Sequence, residues 1–159
     1  MPVASGRRYP YNIAKEVLMK TILIPVDGSD ASVRAAKAAV AAAAEMGGAK
    51  LHLITVHPPI ISGNVKRFFS AEALNDYYQD EGRNALLPAK TALDEAGVSY
   101  EESIEVGPVA QTIADFAKKH QCDHIFMGTR GLGTVTGLVL GSVTIKVLSL
   151  VNIPVTLVR

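Results

Sequence analysis

Short apolar runs recur along the chain, separated by longer segments in which apolar residues return every three or four positions. The runs at 21–26, 51–57 and 124–127 are rich in aliphatic and β-branched residues. This pattern predicts strands that are buried on both faces, as in a parallel sheet covered by helices. A more polar run at 100–106 predicts a strand nearer an edge, and the apolar run at 153–158 predicts the last strand.

The first two helices are predicted between these strands. Ser29 or Asp30 can cap the first helix, and its many alanines imply close packing against a sheet. The second helix is predicted over 70–96. Pro88 is expected to break or kink it, because proline lacks a backbone N–H and clashes with the preceding turn. Residues 58–69 are expected to form an irregular loop.

Two further helices are predicted at 109–120, just after Pro108, and at 142–150, opened by Gly141 and Ser142. Strands that alternate with helices imply parallel pairing with right-handed crossovers. The predicted fold class is therefore α/β, a doubly wound domain of three layers.

Ligand sites in such sheets lie beyond the carboxyl ends of the strands, where the strand order reverses. The loops after the first, second and fourth strands are therefore the candidates. They contain Asp27, Val56, His57 and the glycine-rich segment 128–142.

Length, composition and charge narrow the class of protein. With 159 residues, of which 48% are apolar, the chain can bury the core of one domain and is short for two. Its 16 basic and 15 acidic side chains are spread along the sequence and leave a net charge of +1. Because neither sign dominates, we expect no nucleic-acid partner, and any anionic ligand must be bound locally.

Residues 1–18 precede Met19, which stands directly before the first predicted strand. The segment is a candidate extension of a domain at 19–159. A flexible leader, an arm that packs on a partner, and sequence upstream of the real start all fit its composition.

Residues 1–18 lack the continuous apolar stretch of a secretory signal. The uncharged segment 131–145 is shorter than the ~20 residues of a spanning helix. We therefore expect a cytoplasmic protein without membrane insertion.

The segment 128–142 holds five glycines in fifteen residues and no acid. Two common phosphate-binding fingerprints fail on it. A Walker loop needs a lysine after its second glycine, where this chain has Thr134. A dinucleotide fingerprint needs Gly-x-Gly-x-x-Gly, but Gly131, Gly133 and Gly137 have one residue too many before the third glycine.

Another spacing remains: Gly128-Thr-Arg-Gly131, nine further residues, then Gly141-Ser142. It resembles the nucleotide-binding signature Gly-x2-Gly-x9-Gly-Ser/Thr of the universal stress protein family. The stretches KTILIPVDGSDAS, LHLITVH and DHIFMGTRG resemble further landmarks of that family, and the resemblance covers residues 19–159. It implies an open parallel five-stranded sheet with helices on both faces and, for the glycine-motif branch, ATP binding.

The resemblance also implies a role for each matching position. Asp27 is similar to the family acid near the ribose or the metal, here Mg²⁺, and Val56 to the strand-end residue whose backbone meets adenine. The other implied nucleotide-binding positions are the end of the first strand (Pro25, Val26), the surroundings of the ribose and first phosphates (Met127, Gly128, Arg130, Gly131) and the phosphate-binding helix start (Gly141, Ser142, Val143, Thr144). Gly133 and Gly137 add flexibility to the loop.

Elementary physics agrees with a phosphate site at this helix start. Free first-turn amides and the positive end of the helix dipole favour phosphate without a lysine, and the hydroxyls of Ser142 and Thr144 can add donors. Each residue also has a structural interpretation. Asp27 can help to cap the following helix, Ser142 and Thr144 can be ordinary helix-start residues, and Arg130 can clamp phosphate or face solvent.

Three functions of different classes stay open. The first is an ATP-binding regulatory or stress-response protein with little or no turnover, in which AMP or ADP could replace ATP. The sequence offers Asp27 as a metal partner but no evident residue that positions water. The second is a slow Mg²⁺-dependent ATPase, and the third is a nucleotide-free dimeric interaction module.

Dimerisation has its own argument in the apolar run at 153–158. A strand at the edge of a sheet exposes unpaired backbone groups that invite another chain. The family resemblance suggests a homodimer in which this strand pairs with its symmetry mate.

Overall fold

The computed structural model of the chain describes residues 20–131 and 139–159, so the extension 1–18 and the glycines Gly133 and Gly137 lie outside the described residues. The elements, in chain order, are β1 (Thr21–Pro25), α1 (Asp30–Glu45), β2 (Lys50–His57), α2 (Gly63–Phe68), α3 (Ala71–Glu95), β3 (Tyr100–Val106), α4 (Val109–Lys119), β4 (His124–Gly128), α5 (Ser142–Leu150) and β5 (Val155–Val158).

The five strands form one parallel sheet in the order β3-β2-β1-β4-β5. The predicted α/β fold is confirmed, and β3 is an edge strand as its polarity indicated. From β1 the chain first builds outward through β2 and β3, and then returns to place β4 and β5 on the other side of β1. The strand order therefore reverses between β1 and β4, which is where ligands bind in open sheets of this type.

Helices cover both faces of the sheet and bury a separate core on each. On one face α1 and α3 pack on side chains such as Ile22, Ile24 and Leu53. On the other face α4 and α5 pack on side chains such as Leu23 and Ile125. Alternate residues of one strand thus pack into opposite cores, which is why the buried strands are mostly apolar.

Helix α1 begins with a serine cap and lies close to the sheet. The Oγ of Ser29 accepts the N–H of Ser32 at 3.2 Å, and the Ser32 hydroxyl donates to the carbonyl of Ser29 at 2.8 Å. Of the two residues predicted as caps, Ser29 is therefore the one that acts. Ala35, Ala36 and Ala39 are fully buried, as the alanine-rich sequence indicated.

Two local predictions need correction. Helix α3 runs without a break through Pro88, so the predicted break is wrong, while the alternative of a kink stays a prediction. The proline and Asn84, whose carbonyl loses its partner, are both exposed, so water can hydrate that carbonyl, while Leu86 and Ala89 anchor the helix on the sheet. Within 58–69, predicted as loop, α2 forms one short helix of six residues.

The length and hydropathy of the helices bear on the predicted lack of membrane insertion. Neither α3, the longest, nor any other helix in the described ranges 20–131 and 139–159 combines the length and the hydropathy needed to cross a bilayer.

His52 is a buried titratable group in the middle of β2. Its Nε2 lies 2.9 Å from the hydroxyl of Ser103, and its Nδ1 lies 3.3 Å from a carboxylate oxygen of Glu101. The ring packs edge-on against Phe116 at a centroid distance of 4.7 Å. Burial lowers the pKa of His52 below 6.5, although the negative charge of Glu101 acts in the opposite direction.

We predict that His52 makes the fold less stable in mild acid. Because the folded protein disfavours the charged ring, the unfolded chain binds the proton first, and the free energy of unfolding falls as the pH drops below 6.5. One proton contributes a slope of at most about 1.4 kcal/mol per pH unit. Urea titrations of the wild type and of His52→Gln between pH 7.5 and pH 5 measure it. The variant should lose less stability over this range, and parallel curves would contradict the prediction.

Candidate functional site

A cavity of about 390 Å³ opens at the carboxyl ends of the strands, at the point where their order reverses. Its volume lies within the ~300–1,000 Å³ typical of small-molecule sites. The structure brings all twelve residues named from the sequence to its wall: Pro25, Val26, Asp27, Val56, Met127, Gly128, Arg130, Gly131, Gly141, Ser142, Val143 and Thr144. Their proximity is thus a structural fact, while their binding roles stay predictions.

Four further residues line the same cavity and were missed: Ser32, Ile54, Val109 and Ile113. Ile54 lies two residues before Val56, on the same face of β2, so strand periodicity could have found it. The other three come from α1 and α4. No pattern in the sequence predicts how these helices cross the sheet, and so none indicates which of their residues reach the cavity.

One end of the cavity is apolar. Val26, Ile54, Ile113 and Met127 contribute to its wall and are all at least nine-tenths buried. Ile54 on β2, Met127 on β4 and Ile113 on α4 share one core, and Val26 directly follows β1. A flat apolar group entering here would be covered by the sheet and by the helix. Such a wall suits an aromatic ring system.

Main-chain groups of Val56 face this apolar end. The N–H of Val26 donates to the carbonyl of Ile54 at 2.8 Å, so the main-chain groups of Ile54 are directed toward β1. On the neighbouring residue His57, the carbonyl accepts the N–H of Gly107 on the β3 side. Because the directions alternate along a strand, Val56 is directed toward β1 again, beyond the last ladder pair of Pro25 with Ile54.

Asp27 shapes the turn after β1 and approaches the glycine motif. One of its carboxylate oxygens, Oδ1, accepts the N–H of Ser29 at 3.0 Å, and the intervening Gly28 has a left-handed φ of 85°. The other oxygen, Oδ2, faces Gly131 so closely that a methyl group on that residue would overlap it. The carboxylate therefore contributes to the turn and also borders the cavity.

The opposite end of the cavity is the start of α5. Its N-cap is Gly141, which has no side chain to satisfy the first-turn amides, whereas Ser29 and Ser70 cap α1 and α3. Ser142 and Val143 follow and are exposed. The helix has no acidic residue in its first turn. These amides and the helix dipole give this end a positive potential.

Hydrogen bonds fix this helix start to the end of β4. The N–H of Gly141 donates to the carbonyl of Thr129 at 2.7 Å, and the buried hydroxyl of Thr144 donates to the carbonyl of Gly128 at 3.1 Å. The Thr144 hydroxyl was predicted as a donor to phosphate. Its single proton is already engaged, so that prediction is not supported by the geometry.

Among the described residues that line the cavity, one side chain is cationic and one is anionic. Arg130 is half-buried, and Asp27 is exposed. Within residues 20–131 and 139–159, no three His, Cys, Asp or Glu side chains are grouped as a metal site would require. A cation at Asp27 would need further oxygen ligands from water or from a bound anion.

Comparisons with known proteins match this architecture. A family model described as the universal stress protein family matches residues 19–159. Universal stress protein MJ0531 of Methanocaldococcus jannaschii is 34% identical over 146 residues, which cover 91% of this chain and 84% of that protein.

Two solved structures are similar along most of their length. Hypothetical protein MJ0577 aligns with a TM-score of 0.74 at 28% identity, covering 89% of this chain and 96% of that one. A universal stress protein in complex with cAMP aligns with a TM-score of 0.64 at 29% identity, covering 89% and 98%. With the family model spanning the whole described sheet, this chain belongs to the universal stress protein family.

Proposed function

We propose that this chain binds ATP and acts as a nucleotide-dependent regulatory module with little or no turnover. The observation that carries the proposal is the division of the cavity into an apolar end and an end formed by the uncapped start of α5. Adenosine phosphates have the same division, since a flat aromatic base is joined through ribose to an anionic tail.

The adenine ring would enter between Ile54, Ile113 and Met127, which supply apolar contact. The main chain of Val56 would then bind the edge of the base, its carbonyl accepting from the exocyclic amine and its N–H donating to a ring nitrogen. Guanine has an oxygen in place of that amine, and two acceptors would face each other. The site therefore favours adenine over guanine.

The phosphates would lie against the first-turn amides of α5. Backbone N–H groups and the helix dipole stabilise an anion without a lysine. The exposed hydroxyl of Ser142 would add a donor, and Arg130 at the rim would contribute positive charge. AMP and ADP fit the same arrangement with fewer contacts.

Mg²⁺ fits this site only together with the nucleotide. Asp27 offers one carboxylate, and a hexacoordinate magnesium ion would complete its shell with phosphate oxygens and water. When bound, it would neutralise phosphate charge near the carboxylate. The protein itself would use Asp27 to orient this end of the ligand.

Hydrolysis would require a group that positions water at the last phosphate. Among the described residues that line the cavity, Asp27 is the only carboxylate, and histidine is absent. The Asp27 carboxylate is also held in its own turn through Ser29. The chemistry of the lining thus supports binding more than turnover.

A similar protein supports the ligand class. The universal stress protein solved with cAMP is 29% identical to this chain and shares its fold over 89% of this chain. Its ligand contains adenine, ribose and phosphate, the three parts that the cavity would hold here.

We predict that Gly131→Ala weakens ATP binding by about tenfold or more. The added methyl would overlap Asp27 Oδ2, so either the carboxylate or the 128–131 main chain must move out of place. Isothermal titration calorimetry measures the affinity. The matched control is Gly63→Ala, whose methyl would meet open space in α2.

Equal ATP affinities of Gly131→Ala and the wild type would remove this site. A wild type that neither binds ATP nor releases a nucleotide on denaturation would instead favour the nucleotide-free interaction module. Titration with GTP should give weaker binding than ATP in the wild type, because of the base contacts of Val56.

We also predict no magnesium-dependent turnover. Gly141→Val is the reference, because a Cβ there has only ordinary contacts of 3.6 Å with Arg130 and Thr129. Its branched side chain would stand beside the first-turn amides, where we propose that the phosphates bind. Phosphate release from ATP and Mg²⁺, followed over hours, should be the same for wild type and variant. Release by the wild type above this reference would establish the slow ATPase instead.

The two edges of the sheet support a homodimer through β5. Along β3 the edge carries Glu101, Glu102 and Glu105, whereas β5 is the uncharged run VTLV with half-buried side chains. On the adjacent helix α5, Ile145 is 55% exposed. An uncharged edge with apolar neighbours favours pairing, and a row of carboxylates opposes it.

We predict that Leu157→Pro yields monomers. The carbonyls of Pro154 and Val158 face β4, so by alternation the N–H of Leu157 faces the open edge, where proline would remove a donor to a partner strand without breaking the internal ladder. Sedimentation velocity measures the oligomeric state. The control Val106→Pro changes the outer edge of β3 and should leave the dimer intact. A dimer that persists in Leu157→Pro, or is lost only in the control, would exclude this interface.

A further inference from the structure

The glycine motif consists of two segments that are far apart in sequence but joined in space. Two hydrogen bonds connect the end of β4 to the start of α5: Gly141 N–H to Thr129 C=O at 2.7 Å, and Thr144 Oγ–H to Gly128 C=O at 3.1 Å. We call this pair the clasp. It joins positions 128–129 directly to 141–144, whatever the path of the chain between them.

Thr144 supplies the one side-chain hydrogen bond of the clasp. Thr144 is 3% exposed, and its hydroxyl proton is donated to a carbonyl rather than directed into the cavity. Gly128, whose carbonyl accepts it, lies close to α1, because a Cβ built at this position would be 2.9 Å from that of Ala31. The end of β4 therefore packs on α1 and is hydrogen-bonded to α5.

We infer that Thr144 is a positioning residue, not a phosphate ligand: its hydroxyl fixes the start of α5 against β4, so that the first-turn amides are in place before a nucleotide arrives. This inference rests on the proposed function. It gives different roles to two hydroxyls that the motif places two residues apart. Ser142 is exposed at the rim and makes neither bond of the clasp, whereas Thr144 is buried and acts by holding the main chain of Gly128.

Preorganised donors bind an anion more tightly, because the unfavourable free energy of ordering them does not reduce the binding free energy. Loss of the Thr144 hydroxyl would leave the Gly128 carbonyl buried with an unmade bond, and the helix start would fray. The effect should be larger for a ligand with phosphates than for adenosine, which does not reach the helix start.

Four variants separate the two roles. Thr144→Val keeps the shape of the side chain but removes the hydroxyl, and Thr144→Ser keeps the hydroxyl. Ser142→Ala removes the candidate direct ligand, and Ser149→Ala removes an exposed hydroxyl elsewhere on α5 as a control. For each protein we would measure, without nucleotide, the hydrogen exchange of the Gly141 and Ile145 amides, which donate to the carbonyls of Thr129 and Gly141. We would also measure the affinities for ATP and adenosine.

In Thr144→Val we expect the amides of the nucleotide-free protein to exchange at least about fivefold faster and ATP affinity to fall about fivefold to tenfold, with a smaller change for adenosine. Thr144→Ser should restore both quantities. Ser142→Ala should lower ATP affinity with unchanged exchange, and Ser149→Ala should change neither.

Three results would overturn the inference. The first is weaker ATP binding by Thr144→Val with unchanged exchange, which would make Thr144 a direct ligand. The others are faster exchange with unchanged ATP affinity, and no change in either quantity. A wild type that binds no ATP would contradict the proposed function itself. In that case the exchange data alone decide whether Thr144 holds the helix start.

Discussion

The site depends on how the main chain of Gly128 and Thr129 is held at the end of β4. The N–H of Thr129 donates to Val158 C=O at 2.9 Å, and its carbonyl accepts from Gly141. The carbonyl of Gly128 accepts from Thr144, and its Cα faces Ala31. Strand β5 and helices α1 and α5 thus converge on two residues, which fixes the first turn of α5 relative to the cavity. Because buried backbone groups must find partners, few other arrangements of these elements satisfy them all.

This convergence also explains features of the sequence that are far apart. Only a residue without a side chain can occupy position 128, since the start of α1 lies against it, and only a small residue such as Ala31 can lie there in turn. The alanine-rich face of α1 and the glycine at the end of β4 are therefore two sides of one contact. Close packing at this point lets β1 and β4 present Asp27 and Gly131 to the same cavity.

Much of this architecture could be predicted because burial determines which types of residue occupy a strand or a helix face. Strands covered on both faces are mostly apolar runs, and Gly128 and Gly131 occupy positions where a Cβ would collide with Ala31 or Asp27. The remaining features depend on tertiary contacts. Helix α2 is shorter than two helical turns and shows no period, and Pro88 is tolerated because α3 is anchored on either side of it. A hydroxyl at a helix start, as in Thr144, fits both a ligand and a structural bond, so only its partner distinguishes them.

The sheet edges carry a further constraint on assembly. If β5 of one copy paired with β3 of the next, each copy would still offer a free edge, and the assembly would grow until it closed into a ring or would extend as a fibre. The carboxylates of Glu101 and Glu102 at β3 are paired within the chain to Lys50 at 2.8 Å and to Lys90 at 2.6 Å, so pairing at that edge would have to displace or desolvate these ion pairs. Pairing of β5 with its own symmetry mate involves no such groups. It also closes after two copies, since each partner uses the same strand. The distribution of charge between the two edges therefore favours a closed dimer over an open fibre.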